Sequence, residues 1–257
     1  MPVKREVTIA PNMDELKNRL EVIITAAWNN FKKNQQKTAD ESNKFTIGLS
    51  GGSLIDILAD VLPRIDVAER DGAKWIFYFV DERLVEATNS ESTFGCYVRK
   101  LLPKVNYLNV SNFVSLNNYL FYDPTLVAKD YEDKMRRQFT DSTTFPSLDL
   151  ILLGMGPDGH TASLFPKHPL LKEDKVWIAP ITDSPKPPPQ RVTMTLPLIN
   201  HGKVVVVVST GSSKAEMVSR VVKNDPTEDI PVSLVNPSVN GGTLELLLDA
   251  DAGKLIN

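Results

Sequence analysis

Residues 148–166 read LDLILLGMGPDGHTASLFP. The apolar run at 148–153 follows Pro146 and is too short for a helix, which predicts a buried strand that ends at Gly154. Asp158 and His160 come next, between glycines that permit sharp turns. Open α/β sheets bind their ligands at the carboxyl ends of the strands. Asp158, His160 and the adjacent Gly156 are therefore candidate site residues.

Two other interpretations of this loop have to be weighed. Asp158 can simply cap a short helix that starts near Thr161, which is a common place for Asp after a strand. The glycines also fit the dinucleotide pattern G-x-G-x-x-G. That pattern needs a long following helix, and Pro166 and Pro169 stop any helix within about two turns. A dinucleotide site is therefore rejected.

Composition limits the class of protein. The 257 residues are 42% apolar, and we expect residues 1–257 to form one domain. A net charge of −3 offers no basic field for nucleic acid, and no apolar run reaches the length of a membrane span. The chain starts without the apolar core of a secretory signal, and Cys96 is its only cysteine. We expect a cytoplasmic protein without nucleic-acid or membrane partners.

Short apolar runs alternate with segments of helical periodicity. Strands are predicted at 7–9, 44–49, 74–80, 148–153, 176–181, 192–196, 204–208, 231–235 and 244–248. Helices are predicted at 13–33, 54–62, 92–102 and 124–139, and the polar segment 33–44 is predicted to be a surface loop. This alternation predicts an α/β fold whose mainly parallel sheet carries helices on both faces.

A second candidate loop follows the strand at 44–49. It consists of Ser50, Gly51, Gly52 and Ser53. A glycine turn before a helix directs free N–H groups and the positive end of the helix at an anion or a developing oxyanion. Residues 48–52 also fit G-x-S-x-G, and Asp149 and His160 follow in the order of an α/β-hydrolase. A serine esterase is thus a competing hypothesis, although little chain precedes the would-be nucleophile.

Further charged residues lie at the ends of other predicted strands. Asp81, Glu82 and Arg83 follow the strand at 74–80. The alternative to a functional role is a surface ion-pair cluster in which Asp or Glu caps a helix, and a third polar loop at the same edge of the sheet makes it less favoured. The segment SPKPPPQR can hold Arg191 rigidly, and its alternative role is as a PxxP docking site. Lys214 stands in the first turn of a predicted helix, where it opposes the helix dipole.

Five motifs together resemble one family. They are SGGSL at 50–54, DERLV at 81–85, GMGPDGHTASLFP at 154–166, SPKPPPQRVTMTLP at 184–197 and TGSSK at 210–214. In this order they resemble the 6-phosphogluconolactonase family, in particular its animal cytosolic members. The resemblance implies the Rossmann-like three-layer fold that this family shares with glucosamine-6-phosphate deaminase. The deaminase is the nearest alternative, but the sequence TASLFP after His160 favours the lactonase.

The resemblance also implies chemistry and partners. The expected reaction is hydrolysis of 6-phospho-D-glucono-1,5-lactone to 6-phosphogluconate in the oxidative pentose phosphate pathway. His160 is the expected base, Asp158 orients it, and Arg83, Arg191 and Lys214 provide positive charge. We expect a monomer without metal or organic cofactor, since the three histidines lack metal-ligand spacing. The competing hypothesis that does not involve an enzyme is a sugar-phosphate sensor with the same fold and no catalytic activity.

Overall fold

The positions of strands and helices define the frame of the candidate site. The computed structural model describes residues 5–38, 42–139, 144–223, 226–238 and 241–256. The strands in these residues are β1 (Arg5–Ala10), β2 (Phe45–Leu49), β3 (Trp75–Phe79), β4 (Asp81–Arg83), β5 (Leu150–Gly154), β6 (Ile178–Ile181), β7 (Arg191–Met194), β8 (Val204–Ser209) and β9 (Thr243–Asp249). The α-helices are α1 (Met13–Thr38), α2 (Ser53–Val61), α3 (Glu69–Gly72), α4 (Thr93–Lys100), α5 (Pro124–Arg136), α6 (Leu196–Asn200), α7 (Ala215–Lys223) and α8 (Ala250–Gly253).

Six of these strands form one parallel sheet. Their order is β1-β9-β8-β5-β2-β3, and every neighbouring pair is parallel. In a parallel sheet all carboxyl ends lie at one edge, so the segments that follow β2, β5 and β8 are brought together. The predicted mainly parallel sheet is confirmed.

Both faces of the parallel sheet are covered. Along β5, Leu150 and Leu152 belong to a core that includes residues of α1, α2 and α4. Ile151 and Leu153 point to the opposite face, into a core with residues of α5, α6 and α7. Alternate residues of a strand face opposite sides of its sheet, so a strand buried on both faces is apolar throughout. The predicted helices on both faces are confirmed.

Helix α1 is longer than the periodicity predicts. Asn12 accepts the N–H of Glu15 at 2.9 Å and so starts the helix, while Leu16 and Leu20 are fully buried. The helix ends at Thr38 rather than at residue 33, because lysine and glutamine continue a helix on its exposed side. The loop predicted at 33–44 is therefore wrong over its first part, and residues 39–41 lie outside the described residues. No described helix combines the length and apolar character needed to cross a membrane.

A second, antiparallel sheet was not predicted. It has three strands in the order β4-β7-β6, and its register pairs Arg83 with Arg191. Asp81 and Arg83 therefore lie in a strand, not in a loop after one. The strand predicted at 231–235 is wrong, because Pro231–Leu234 forms a 3₁₀ helix. Proline in its first turn fits that helix and removes a donor that a central strand needs.

Candidate active site

The predicted site residues meet in one cleft at the carboxyl edge of the parallel sheet. The cleft has a volume of about 230 Å³. It is lined by Ser50, Gly51, Gly52, Ser53, Asp81, Arg83, Gly156, His160, Arg191 and Lys214, together with neighbouring residues. Asp158 does not line the cleft, but its carboxylate contacts His160. The segments after β2, β5 and β8 converge because the carboxyl ends of parallel strands lie at one edge, whereas Asp81, Arg83 and Arg191 come from the antiparallel sheet.

Glycines shape the loop that carries the histidine. The N–H of Gly156 donates to the carbonyl of His160 at 2.9 Å, and Gly159 has a φ of +81°. A Cβ at Gly156 would overlap the His160 ring and the Asp158 carboxylate. Only glycine leaves room for the imidazole at this position, so the loop needs its glycines for a close approach rather than for a nucleotide.

Asp158 sets the tautomer of His160. Its Oδ1 lies 2.5 Å from Nδ1 of the imidazole, and a carboxylate can only accept, so Nδ1 carries the proton. Nε2 has no hydrogen-bond partner in the part of the chain that the structure describes. The Phe165 ring packs against the imidazole with centroids 4.9 Å apart and holds its orientation. An unprotonated Nε2 beside the cleft is a group that can take a proton from a bound molecule.

Burial and neighbouring charges keep both groups in their basic forms at neutral pH. Burial lowers the pKa of His160 below its ordinary value and outweighs the hydrogen bond to Asp158, which acts in the other direction. Burial alone would raise the pKa of Asp158, but its hydrogen bonds to His160 and Lys186 hold that pKa at about 2. At neutral pH the pair is therefore a carboxylate and a neutral imidazole.

Lys186 was not predicted as a site residue. Its Nζ lies 3.1 Å from Oδ1 of Asp158 and 3.0 Å from Nδ1 of His160. The sequence interpretation of SPKPPPQR considered only Arg191. The available signal was a lysine inside the rigid segment that was already predicted to position a charged residue.

Arg191 is held mainly by backbone carbonyls. Its Nη2 donates to the carbonyl of Lys186 at 2.7 Å, and its Nε donates to the carbonyl of Pro188 at 3.0 Å. Nη1 donates to Ser163 Oγ at 3.3 Å and lies 3.8 Å from Asp81, whose carboxylate accepts from the same Ser163 at 2.8 Å. Arg191 is only 3% exposed. Its guanidinium reaches the cleft while fixing the proline-rich segment.

The three residues of the segment DER at 81–83 make different contacts. Nη1 of Arg83 donates to the carbonyl and to the carboxylate of Glu91, at 2.9 and 3.1 Å. Glu82 is buried and accepts the N–H groups of Thr93 and Phe94 at 2.9 and 2.7 Å, at the start of α4. Burial raises the pKa of Glu82 to about 7, against those hydrogen bonds. The alternative of a helix cap is therefore right for Glu82, whereas Asp81 and Arg83 line the cleft.

Two helix starts border the cleft. The N–H groups of Gly51, Gly52 and Ser53 have no acceptor among the described residues, and Gly52 has a φ of +67°. The helix that was predicted to start with residues 210–214 begins with a 3₁₀ turn, Ser212–Lys214, that leads into α7. Nζ of Lys214 donates to the carbonyl of Met155 at 2.7 Å, and burial lowers the pKa of Lys214. Free N–H groups and a partly buried ammonium both favour an anionic ligand.

The catalytic triad of a serine esterase is not assembled. Ser50 Oγ accepts the N–H of Gly154 at 3.1 Å and has no hydrogen bond to His160 among the described residues. Asp149, the acid in that hypothesis, lies at the opposite edge of the sheet, where it binds Thr46 and Lys203. The described residues also contain no group of three or more His, Cys, Asp or Glu side chains placed to hold a metal.

Comparisons with known proteins agree on one family. The profile of the family described as glucosamine-6-phosphate isomerases/6-phosphogluconolactonase matches residues 18–244. The chain is 42% identical to a 6-phosphogluconolactonase of Homo sapiens over 215 residues, which are 83% of this chain and 81% of that one. It is 40% identical to a probable 6-phosphogluconolactonase of Drosophila melanogaster, covering 95% of this chain and 98% of that one. The crystal structure of a 6-phosphogluconolactonase from Leishmania guyanensis superimposes with a TM-score of 0.75 at 28% identity, covering 99% of both chains. The resemblance to animal members that the motifs indicated is confirmed.

Proposed function

Because the chain belongs to the glucosamine-6-phosphate isomerase/6-phosphogluconolactonase family, we propose that it hydrolyses 6-phospho-D-glucono-1,5-lactone to 6-phospho-D-gluconate. The reaction belongs to the oxidative pentose phosphate pathway and makes the protein a carboxylic ester hydrolase. The observation that carries the proposed mechanism is the Asp158–His160 pair, which leaves an unprotonated Nε2 beside a cleft bordered by cations and free N–H groups.

In this mechanism His160 acts as the general base. Nε2 takes a proton from a water molecule as the water oxygen forms a bond to C1 of the lactone. Asp158 accepts the Nδ1–H hydrogen bond and stabilises the imidazolium that results. When the tetrahedral intermediate collapses, the bond between C1 and the ring oxygen breaks. Nε2 returns its proton to that oxygen, which becomes a hydroxyl group of the product.

Two further requirements of the reaction are met by the cleft. Negative charge develops on the carbonyl oxygen, and the N–H groups of Gly51 and Gly52 at the start of α2 can donate hydrogen bonds to that oxygen. The substrate phosphate needs positive charge, which Arg83, Arg191 and Lys214 supply along the cleft wall. Every step uses groups of the chain itself and water.

The proposal is tested by following proton release at constant pH from freshly prepared lactone. Spontaneous ring opening is subtracted at each pH, since the carboxylic acid product releases a proton in either case. We expect enzyme-dependent hydrolysis that is much faster with the phosphorylated lactone than with glucono-1,5-lactone. Lack of hydrolysis of the phosphorylated lactone by folded protein would reject the proposed function.

The base is tested by His160→Asn. General-base catalysis contributes about 10²–10⁴-fold, so kcat should fall by that order while KM changes little, because phosphate contacts remain. His201→Asn is the matched control, since His201 contacts the carbonyl of Pro197 and does not line the cleft. A folded His160→Asn enzyme with near wild-type kcat would exclude His160 and make Asp158 or Asp81 the next candidate.

A further inference from the structure

The ammonium group of Lys186 lies on the Nδ1 side of the His160 imidazole, away from Nε2. Its Nζ lies 3.0 Å from Nδ1 of His160 and 3.1 Å from Oδ1 of Asp158. An ammonium group has donors only, so it cannot bond to Nδ1 while Nδ1 carries a proton. Lys186 therefore donates to Asp158 and acts on the imidazole through its charge.

The backbone of Lys186 is fixed more firmly than that of an ordinary surface lysine. Ser184 Oγ donates to the carbonyl of Lys186 at 2.8 Å and accepts its N–H at 3.3 Å. The same carbonyl accepts from the buried guanidinium of Arg191 at 2.7 Å, and Pro187 and Pro188 follow directly. Proline restricts φ to about −65°, which limits the paths of the chain beyond Lys186. The network around Arg191 thus delivers one ammonium group to the Asp158–His160 pair.

We propose that Lys186 is a positioning residue, which keeps Asp158 oriented on Nδ1 and keeps the His160 imidazole neutral between proton transfers. This inference rests on the proposed function. When Nε2 has taken a proton from water, an imidazolium ion stands about 3 Å from an ammonium ion. Their repulsion favours transfer of that proton onward to the ring oxygen of the lactone, as the bond from C1 to this oxygen breaks. Lys186 itself neither gains nor loses a proton.

The charges around His160 determine in which direction its pKa changes when the charge of Lys186 is removed. Asp158 from the same loop and Asp81 from β4 favour the protonated imidazole, whereas Lys186 from the proline-rich segment and burial disfavour it. Removing the charge of Lys186 leaves both carboxylates in place, so the pKa of His160 must rise. Activity that requires the neutral imidazole is lost below that pKa, so the acid limb of kcat must move to higher pH.

The experiment measures the imidazole directly and then the reaction. The chain has three histidines, so long-range ¹H–¹⁵N NMR of uniformly labelled protein resolves each ring, and His160→Asn assigns one of them. We expect wild-type His160 to show the Nδ1–H tautomer at neutral pH. Lys186→Met should raise its pKa by about one pH unit, within the range for loss of a neighbouring charge, and should shift the acid limb of kcat equally.

Two variants separate charge from structure. Lys186→Arg keeps the charge and should restore the wild-type pKa and pH profile to within a few tenths of a unit. Lys172→Met removes the same charge from an exposed lysine that pairs with Glu228, and it should change neither quantity. If Lys186→Met does not fold, Lys186→Gln gives the same readout, because it retains a donor for Asp158 without the charge.

An unchanged His160 pKa in Lys186→Met or Lys186→Gln would overturn the inference. So would a shift in Lys186→Arg as large as that in Lys186→Met. The NMR titration uses no substrate, so it is independent of the reaction. Absence of lactone hydrolysis by the wild-type protein, together with the expected NMR shifts, would reject the proposed function and support the action of Lys186 on His160.

Discussion

Replacing Asp158 with Asn tests whether this carboxylate makes His160 a base. The carboxylate accepts from Nδ1, which leaves Nε2 unprotonated. An asparagine side chain can instead donate to Nδ1, and this stabilises the tautomer whose proton is on Nε2. That tautomer cannot take a proton from water. We therefore expect Asp158→Asn to lower kcat while KM stays close to the wild-type value.

The size of the effect follows from the contacts that are lost. A hydrogen bond to a charged group contributes about 1.5–3 kcal/mol, and each 1.36 kcal/mol of barrier is a factor of ten in rate. Loss of the Asp158 carboxylate from the transition state should therefore reduce kcat by about 10–10²-fold. The direction of the pH change is also fixed. Asp158 raises the pKa of His160, so its removal should move the remaining acid limb to lower pH.

The assay is proton release at constant pH between about pH 5 and 8, with spontaneous opening subtracted at every point. Asp183→Asn is a matched control, because Asp183 contacts His168 rather than His160. An Asp158→Asn enzyme that keeps wild-type kcat would refute the assigned role of the carboxylate. An acid limb that moves to higher pH would refute the electrostatic reasoning, because Asp158→Asn and Lys186→Met are expected to shift this limb in opposite directions.

Three further predictions concern other parts of the molecule. Ser50→Ala should retain most turnover, and serine-directed organophosphates should leave no adduct by mass spectrometry, because Ser50 Oγ accepts the N–H of Gly154 and water is the proposed nucleophile. Stoichiometric labelling of Ser50 would favour an esterase instead. Lys214→Ala should raise KM for the phosphorylated lactone by a factor equivalent to about 2–3 kcal/mol and leave KM for glucono-1,5-lactone nearly unchanged, with Lys223→Ala as the control. Equal effects on both substrates would place Lys214 away from the phosphate. Burial raises the pKa of Glu82 from 4.5 to about 7, so the folded state retains a proton that the unfolded chain releases, and the free energy of unfolding should fall as pH rises through that interval. Urea titrations should show that the free energy of unfolding of Glu82→Gln depends less on pH than that of the wild type, and an identical pH dependence would contradict the raised pKa.

The parallel sheet was predictable because its signals are local. Five-residue apolar runs such as 204–208 end at glycine or serine, and a strand buried on both faces leaves that pattern wherever its neighbours lie in the sequence. The convergence of the loops after β2, β5 and β8 followed from the same pattern, because parallel strands bring their carboxyl ends to one edge. Gly156, which leaves room for the His160 ring and the Asp158 carboxylate, lies in the same short stretch.

The antiparallel sheet was not predictable in the same way. β4 has only three residues, all charged, and it is recognisable as a strand only from its pairing with β7, about a hundred residues later. The segment at 231–235 has the opposite character, since its apolar residues suggest a strand while Pro231–Leu234 form a 3₁₀ helix. For β4 the structure depends on which backbone lies alongside, and periodicity carries no information about that. At 231–235 the local signal was Pro231, which periodicity does not weigh.

Which cationic side chain is available for the phosphate could not be predicted from the sequence, because it depends on the acceptors that each side chain contacts in the structure. Arg83 is paired with the carboxylate of Glu91, Lys186 with that of Asp158, and the Arg191 guanidinium lies 3.8 Å from a carboxylate oxygen of Asp81. Lys214 differs from these three, because it donates to a neutral carbonyl and has no carboxylate within 4.0 Å among the described residues. A phosphate has to compete with a carboxylate for a paired cation, whereas an ammonium held only by a carbonyl keeps its charge available. The sequence left the phosphate contact open among Arg83, Arg191 and Lys214, and this difference in pairing favours Lys214.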